Sequence, residues 1–527
     1  MLAKAYSFAS YGSQAKLVTI EVNIFNNTSA SEYGLELEED RQSTSIIGLP
    51  DTAVRESKER VRSAIIQTGL RYPKGEIIIS LAPADLKKHG PAFDLPIALC
   101  LAAWSGHAKD HDPSSCESKI AAIGELSLDG TLRSVRNVIS CAVAAKKLGF
   151  RYLIVPKQNA REAALIKDLA VLPAGNFKEA LEAYLAPANC RAMVFDRALI
   201  ENASYGYDCD FSEIKGQMAA RRAAEIAAAG GHNLLLFGPP GSGKTLLARR
   251  LPTILPPLSE EELIENMQIY SAKGLVPKDI RLMIRRPFRS PHHSVSLSGL
   301  IGGGLQIEPG EVSLAHNGVL FLDEFPEFAK NVLEALRQPL EDGFVNIVRI
   351  AGSVTFPASF MLVAAMNPCP CGYLGHPVKK CKCPRRLVES YRARVSGPLM
   401  DRIDMHVEMP FVPYEELTAK ETPEDSKTIR ERCLRARRAQ TERYKSTRFR
   451  SNAQLNSSAA QRFCPLEKEA ENALKYAVTK MSLSARTYTR ILRVARTIAD
   501  LGNREKIEER HILEALQFKG FREDSPG

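Results

Sequence analysis

The octapeptide Gly238-Pro239-Pro240-Gly241-Ser242-Gly243-Lys244-Thr245 constrains this chain more than any other feature. It fits the phosphate-binding loop pattern GxxxxGK[ST], with a strand at 233–237, apolar from Leu234 to Phe237, expected before it and a helix-forming run at 246–250 after it. The loop needs that setting. Glycines let successive N–H groups turn towards phosphate oxygens, and the helix N-terminus adds partial positive charge. Lys244 is expected to reach the β- and γ-phosphates, and Thr245 to offer a hydroxyl to Mg2+. ATP and Mg2+ are therefore the expected cofactors.

Val319-Leu320-Phe321-Leu322-Asp323-Glu324 supplies the matching second element. Four apolar residues make a buried central strand, and the carboxylates emerge at its C-terminal end. Asp323 is expected to hold Mg2+ through water, and Glu324 to orient or activate the attacking water. A third strand over residues 360–365 leads to Asn367, whose amide is placed to contact the γ-phosphate or that water.

The chain has 527 residues, more than one hydrophobic core normally serves, so two to three domains are expected. No targeting signal or membrane-length apolar stretch is visible, which implies a cytoplasmic protein. The boundaries read as an N-terminal domain over 1–188, a polar linker over 189–211, a nucleotide-binding core over 212–410 and a basic helical region over 411–527. Strand-length runs at 18–22, 77–81 and 152–155 mix with Ala-rich helical runs at 95–103 and 139–148 in the first domain. The net charge of +10 suits a polyanionic partner without requiring one.

Further motifs narrow the family. Phe288-Arg289-Ser290-Pro291-His292-His293-Ser294 is followed by Ser298-Gly299-Leu300-Ile301-Gly302-Gly303-Gly304, and later by Ser396-Gly397-Pro398-Leu399-Met400-Asp401-Arg402-Ile403-Asp404. With the nucleotide motifs and Asn367, these resemble the AAA+ module of the magnesium-chelatase-like ATPases of the ComM/YifB family, over nearly the whole chain. The resemblance implies an α/β P-loop AAA+ core with a helical lid. It implies that Arg402 is an arginine finger reaching a neighbouring subunit's γ-phosphate, and that Arg486 in Ser484-Ala485-Arg486-Thr487-Tyr488 is a second sensor arginine. A phosphoryl transition state needs such planar positive charge; a surface salt bridge is the plainer alternative for either residue. The segment Ile214-Lys215-Gly216-Gln217 resembles one lining the adenine pocket, which makes Gln217 a nucleotide contact. A finger acting in trans requires a homo-oligomer, and the family expectation is a hexamer.

The N-terminal domain resembles the α+β, ribosomal S5-like fold of Lon-type proteases, through Gly90-Pro91-Ala92-Phe93-Asp94-Leu95-Pro96-Ile97-Ala98 and Gly124-Glu125-Leu126-Ser127-Leu128-Asp129-Gly130. A Ser–Lys dyad needs a hydroxyl and a lysine of lowered pKa. Here the serine position reads Ala92, and residues 132–140 carry Arg133 and Arg136 but no lysine. The shape is expected without the peptidase chemistry.

Cys369-Pro370-Cys371 and Cys381-Lys382-Cys383 can meet around one tetrahedral Zn2+. His376 between them could replace a thiol, and reduced structural or redox thiols are the alternative.

Three readings of the motor's work compete. A DNA translocase would use Arg285, Arg286 and Arg289, the Ser/Gly-rich loop after them, and a hairpin over 341–356 bearing Arg349, to track phosphates of single-stranded or branched DNA. The ten Lys or Arg residues over 427–450 would add to this, or form a solvated helix face. A protein unfoldase would grip with an aromatic pore loop, which residues 298–304 lack. A chelatase motor would need separate subunits. The ComM/YifB resemblance favours the first, as ATP-driven branch migration during recombination of incoming DNA in natural transformation.

Overall fold

Val18, Ile20, Val22 and Ile24 alternate with polar residues, and this period of two buries one face of a strand. That strand, β2 (Gln14–Phe25), lies between β1 (Ala3–Tyr11) and β4 (Glu76–Ala82), antiparallel to both. β3 (Thr44–Ile47) completes a four-stranded sheet, parallel to β4. The computed structural model describes residues 3–25, 43–104, 119–198, 207–279, 282, 284–304, 307–349, 352–418 and 423–519. Its contacts form two units, Met1–Asn202 with Ile264–Lys278, and Ala203–Leu263 with Asp279–Gly527.

In the first unit a second, parallel sheet has the order β5 (Ile120–Ala122), β8 (Tyr152–Pro156), β9 (Ala170–Ala174), and β6 (Glu125–Leu126) pairs antiparallel with β7 (Leu132–Arg133). The helix Asp94–Ala102 is buried along its whole length, as the unbroken apolar run after Asp94 requires. Its one charge, Asp94, accepts from Arg60 Nε at 2.7 Å, from Ser57 and from the Leu126 N–H. Ala92 lies in the 3-10 turn just before this helix. Lys88 is fully buried, and its ammonium donates to the carbonyls of Gly48, Leu81 and Pro83. Lys88 therefore ties loops together.

Two features of this unit differ from the sequence reading. Met193, inside the expected linker, bridges to Val171 of β9, so the ordered chain continues beyond residue 188; residues 199–206 lie outside the described set. The segment Ile264–Lys278 also groups here, although it follows the phosphate loop in sequence. Gln268 Nε2 donates to the Ser13 carbonyl at 3.0 Å, and the Asn137 N–H donates to the Ser271 carbonyl.

The second unit is built on five parallel strands in the order β11 (Phe288–Arg289), β14 (Val319–Leu322), β17 (Met361–Met366), β10 (Leu234–Phe237), β18 (Met405–Glu408). β14 and β17 are buried at every position, as strands covered on both faces must be. Two hairpins are added to this core, β12 (Gly302–Gly303) with β13 (Glu308–Pro309), and β15 (Phe344–Arg349) with β16 (Gly352–Pro357), the second packing Val345, Ile347 and Phe356 against it. The chain closes with the helices Ser426–Tyr444, Lys468–Lys480, Ala485–Leu501 and Glu509–Gln517, whose apolar faces join the core under β10.

Within Ser426–Tyr444 several arginines face protein partners. Arg432 donates to Glu225 and Glu424, Arg437 to the Ala228 carbonyl, and Arg443 bidentately to the buried Asp500. These three cations fasten the helix inside its own unit, so the run is not simply a solvated face. No helix among the described residues is long and apolar enough to cross a membrane.

Candidate functional site

Strand order decides what the loops can reach. β14, β17 and β10 are neighbours, so the loops leaving their C-terminal ends converge. The phosphate loop leaves β10, Asp323 and Glu324 leave β14, and Asn367 leaves β17. Gly243 caps the following helix Lys244–Ile254 at φ +92°, a conformation that side chains disfavour.

Lys244 Nζ donates to the carbonyls of Gly238 at 2.7 Å and Pro239 at 2.9 Å, and to Asn367 Oδ1 at 3.2 Å. Burial lowers its pKa to about 8, against the opposing pull of Asp323. A triphosphate brought into the loop would raise it again, because opposite charge favours the charged form. Thr245 Oγ1 donates to Asp323 Oδ2 at 2.7 Å. A hydroxyl beside a carboxylate is a hard oxygen pair that fits Mg2+, which when bound neutralises phosphate charge. Gln217 stands before the helix Met218–Gly230, and its Nε2 donates to the Ser242 carbonyl at 3.1 Å and the Pro410 carbonyl at 2.6 Å. It thereby ties the start of the core to the phosphate loop and to the chain leaving β18.

Arg402 and Arg486 lie elsewhere. Arg402 donates to the Pro398 carbonyl at 2.7 Å and pairs with Glu341. Arg402 holds the Glu341 carboxyl below its usual range, with smaller help from the charges of Arg486 and Arg337. Arg486 is exposed in the first turn of Ala485–Leu501. The two arginines thus share one acidic neighbour, a link the sequence did not suggest.

The expected DNA contacts have different surroundings. Arg286 donates to the carbonyls of Pro256, Pro257 and Asn317 and pairs with Glu262 at 2.9 Å. Arg289 is held bidentately by Glu311 at 2.6 and 2.8 Å. The Arg285 guanidinium lies 5.1 Å from the Tyr207 ring centroid. Arg349 is exposed at the end of β15.

The four cysteines come together. Cys369, Cys371 and Cys381 place their sulfurs 3.4 to 3.6 Å apart, and all four lie within 4.8 Å of one another. Four thiolates at about 2.3 Å from a tetrahedral Zn2+ would sit about 3.8 Å apart, so the set fits that ion. His376 is not part of it. Its Nδ1 accepts from the N–H groups of Val378 and Lys379, and its ring lies against Tyr373 and Phe411. The cluster also abuts the nucleotide loop, because a Cβ at Gly372 would stand 2.6 Å from the Pro240 ring.

Comparison with known proteins places these features. Models of the magnesium chelatase subunit ChlI match residues 210–417, and models of the same subunit match residues 35–159 and, for its C-terminal part, 423–519. The competence protein ComM of Haemophilus influenzae is 41% identical over 526 residues, covering 99% of this chain and 98% of its own. The uncharacterized protein YifB of Escherichia coli is 41% identical over 523 residues, covering 99% and 97%. The magnesium-chelatase 38 kDa subunit of Rhodobacter capsulatus is 28% identical over 177 residues, which is 30% of this chain and 50% of that one.

Proposed function

Because this chain belongs to the ComM/YifB family of magnesium-chelatase-like AAA+ proteins, we propose that it is an ATP-driven DNA motor. Its work is branch migration in homologous recombination of incoming DNA during natural transformation. The observation that carries the choice of substrate is the end-to-end likeness to a competence protein, 41% identical over 99% of this chain, where the magnesium-chelatase 38 kDa subunit of Rhodobacter capsulatus is 28% identical over 30% of it.

The reaction follows from the converging loops. Lys244 and the loop N–H groups bind the β- and γ-phosphates. Thr245 and Asp323 hold Mg2+. Glu324 aligns the attacking water and takes its proton, and Asn367 fixes the γ-phosphate against it. Arg402, with Arg486 beside the same acid, serves the neighbouring subunit's pocket in a hexameric ring. Arg349, exposed at the end of β15, tracks the DNA backbone, and Arg285 and Arg289 join it on leaving the Tyr207 ring and the Glu311 carboxylate. Arg286 spends its donors within the protein, and its contribution is to shape the base of that insertion.

Binding through the DNA backbone has a salt signature. With about four to eight phosphates neutralised, log affinity should fall with a slope of roughly −3 to −7 against log salt. Arg349→Ala should weaken binding on every sequence alike and flatten that slope by about one for each phosphate it leaves unneutralised. A slope unchanged by Arg349→Ala would remove this hairpin from the DNA path. Metal analysis bears on the cysteines, and about one zinc per chain is expected, released by a thiol-reactive reagent. A zinc-free preparation, purified without chelator, that is folded and active would remove the metal.

A further inference from the structure

Gly372, in the cysteine segment, is packed against two parts of the nucleotide site. It is buried and turns at φ +80°, and its N–H donates to the Cys369 carbonyl at 2.9 Å. A Cβ there would stand 2.6 Å from the Pro240 ring and 3.8 Å from the amide carbon of Asn367. Pro240 belongs to the phosphate loop, and the same Asn367 amide accepts from Lys244 through Oδ1. Only a residue without a side chain lets the cysteine turn approach both so closely.

The rest of the segment is anchored in the same neighbourhood. Cys369 is fully buried just beyond Asn367. Between them, the Pro368 carbonyl accepts from Arg392 Nε at 3.3 Å, at the end of the helix Arg385–Arg392 that follows the last cysteine. The loop joining the cysteine pairs turns back on the chain leaving β18. There the Tyr373 and His376 rings lie 5.6 Å apart, and those of His376 and Phe411 5.2 Å apart. Phe411 adjoins Pro410, whose carbonyl accepts from Gln217. Residues 369–383 contain no helix or strand of their own. A segment of that kind takes its shape from what its sulfurs hold, and a structural metal supplies folding energy outright.

We propose that the cysteine segment is a metal-dependent positioning element of the nucleotide site, touching it through Gly372, so that zinc and ATP each tighten the binding of the other. With four thiolates drawn onto one ion, the Gly372 turn is fixed. Pro240 and the Asn367 amide are then held in the arrangement seen here. With the sulfurs free to separate, the phosphate loop loses that wall. Coupling between two binding sites is reciprocal, so ATP bound against the turn raises zinc affinity by the same factor. The inference rests on the reading of the four cysteines as a zinc site and of residues 238–245 as the phosphate loop.

The test measures both halves of the linkage on the full chain. Kd for a fluorescent ATP analogue, with Mg2+ in excess, is compared before zinc is removed by a zinc-selective chelator, after removal, and after zinc is restored. Stripping should weaken binding by about five- to 150-fold, the usual range for coupled sites, and restoring zinc should recover it. In the converse titration the analogue should raise zinc affinity by an equal factor, read by competition with the same chelator. Gly372→Ala keeps all four cysteines and should retain about one zinc per chain, yet bind the analogue more weakly and lose the linkage. That variant needs no stripping, so it decides the matter even if the stripped chain fails to refold. A zinc-loaded chain whose nucleotide affinity survives stripping, or a Gly372→Ala protein that binds both ligands as the unmodified chain does, overturns the proposal and leaves the zinc site standing. A chain purified without chelator that holds no zinc removes the site and the proposal together.

Discussion

Glu324→Gln is expected to bind ATP as the unmodified protein does and to hydrolyse it at least about 100-fold more slowly. The substitution keeps the shape of the side chain and removes its capacity to take a proton. Asp323 and Thr245 remain in place 2.7 Å apart, so the proposed Mg2+ ligands and the binding step should be untouched. Lys244→Ala should behave differently. It removes the ammonium that joins the loop carbonyls to Asn367, and nucleotide affinity itself should drop. Equilibrium binding of a fluorescent ATP analogue, with single-turnover hydrolysis, separates the two defects. Normal turnover by Glu324→Gln would remove that residue from the mechanism.

Arg402→Ala is expected to cost roughly a thousandfold in turnover, the lower end of what an arginine finger supplies. Within its own chain Arg402 is engaged with Glu341 and the Pro398 carbonyl, away from the Lys244 loop contacts. To act on a neighbour's phosphate it must exchange that carboxylate for a more highly charged partner. Mixing inactive Arg402→Ala chains with inactive Lys244→Ala chains should then recover activity, because some interfaces combine an intact loop with an intact finger. No recovery at any ratio, with rings shown intact by sedimentation, would count against action in trans.

Local chemistry explains which of these features the sequence made legible. The phosphate loop, the Asp323–Glu324 pair, Asn367 and the four cysteines each lie within a few residues of the pattern that marks them, so spacing alone exposes them. The parallel core and its closing helices were equally readable, since buried strands and amphipathic helices write their period into the chain. Partners distant along the chain leave no such trace. Nothing around Arg402 in the sequence points to Glu341. Arg286 and Arg443 illustrate a second limit. A positive charge looks the same in sequence whether it faces phosphate or, as these do, an internal carbonyl or carboxylate. The grouping of Ile264–Lys278 with the N-terminal unit was hidden for a third reason, because periodicity identifies a helix and not its neighbours.

The central claim, that ATP hydrolysis drives branch movement in DNA, is tested most directly on a synthetic four-way junction with labelled arms. The unmodified protein with ATP should convert the junction into separated duplexes, and Glu324→Gln should bind it and leave it intact. Unfolded protein should not raise the ATPase rate, and the junction should. An active ATPase that unfolded protein stimulates and that leaves the junction unresolved would contradict the choice of substrate, placing the chain among protein-remodelling motors.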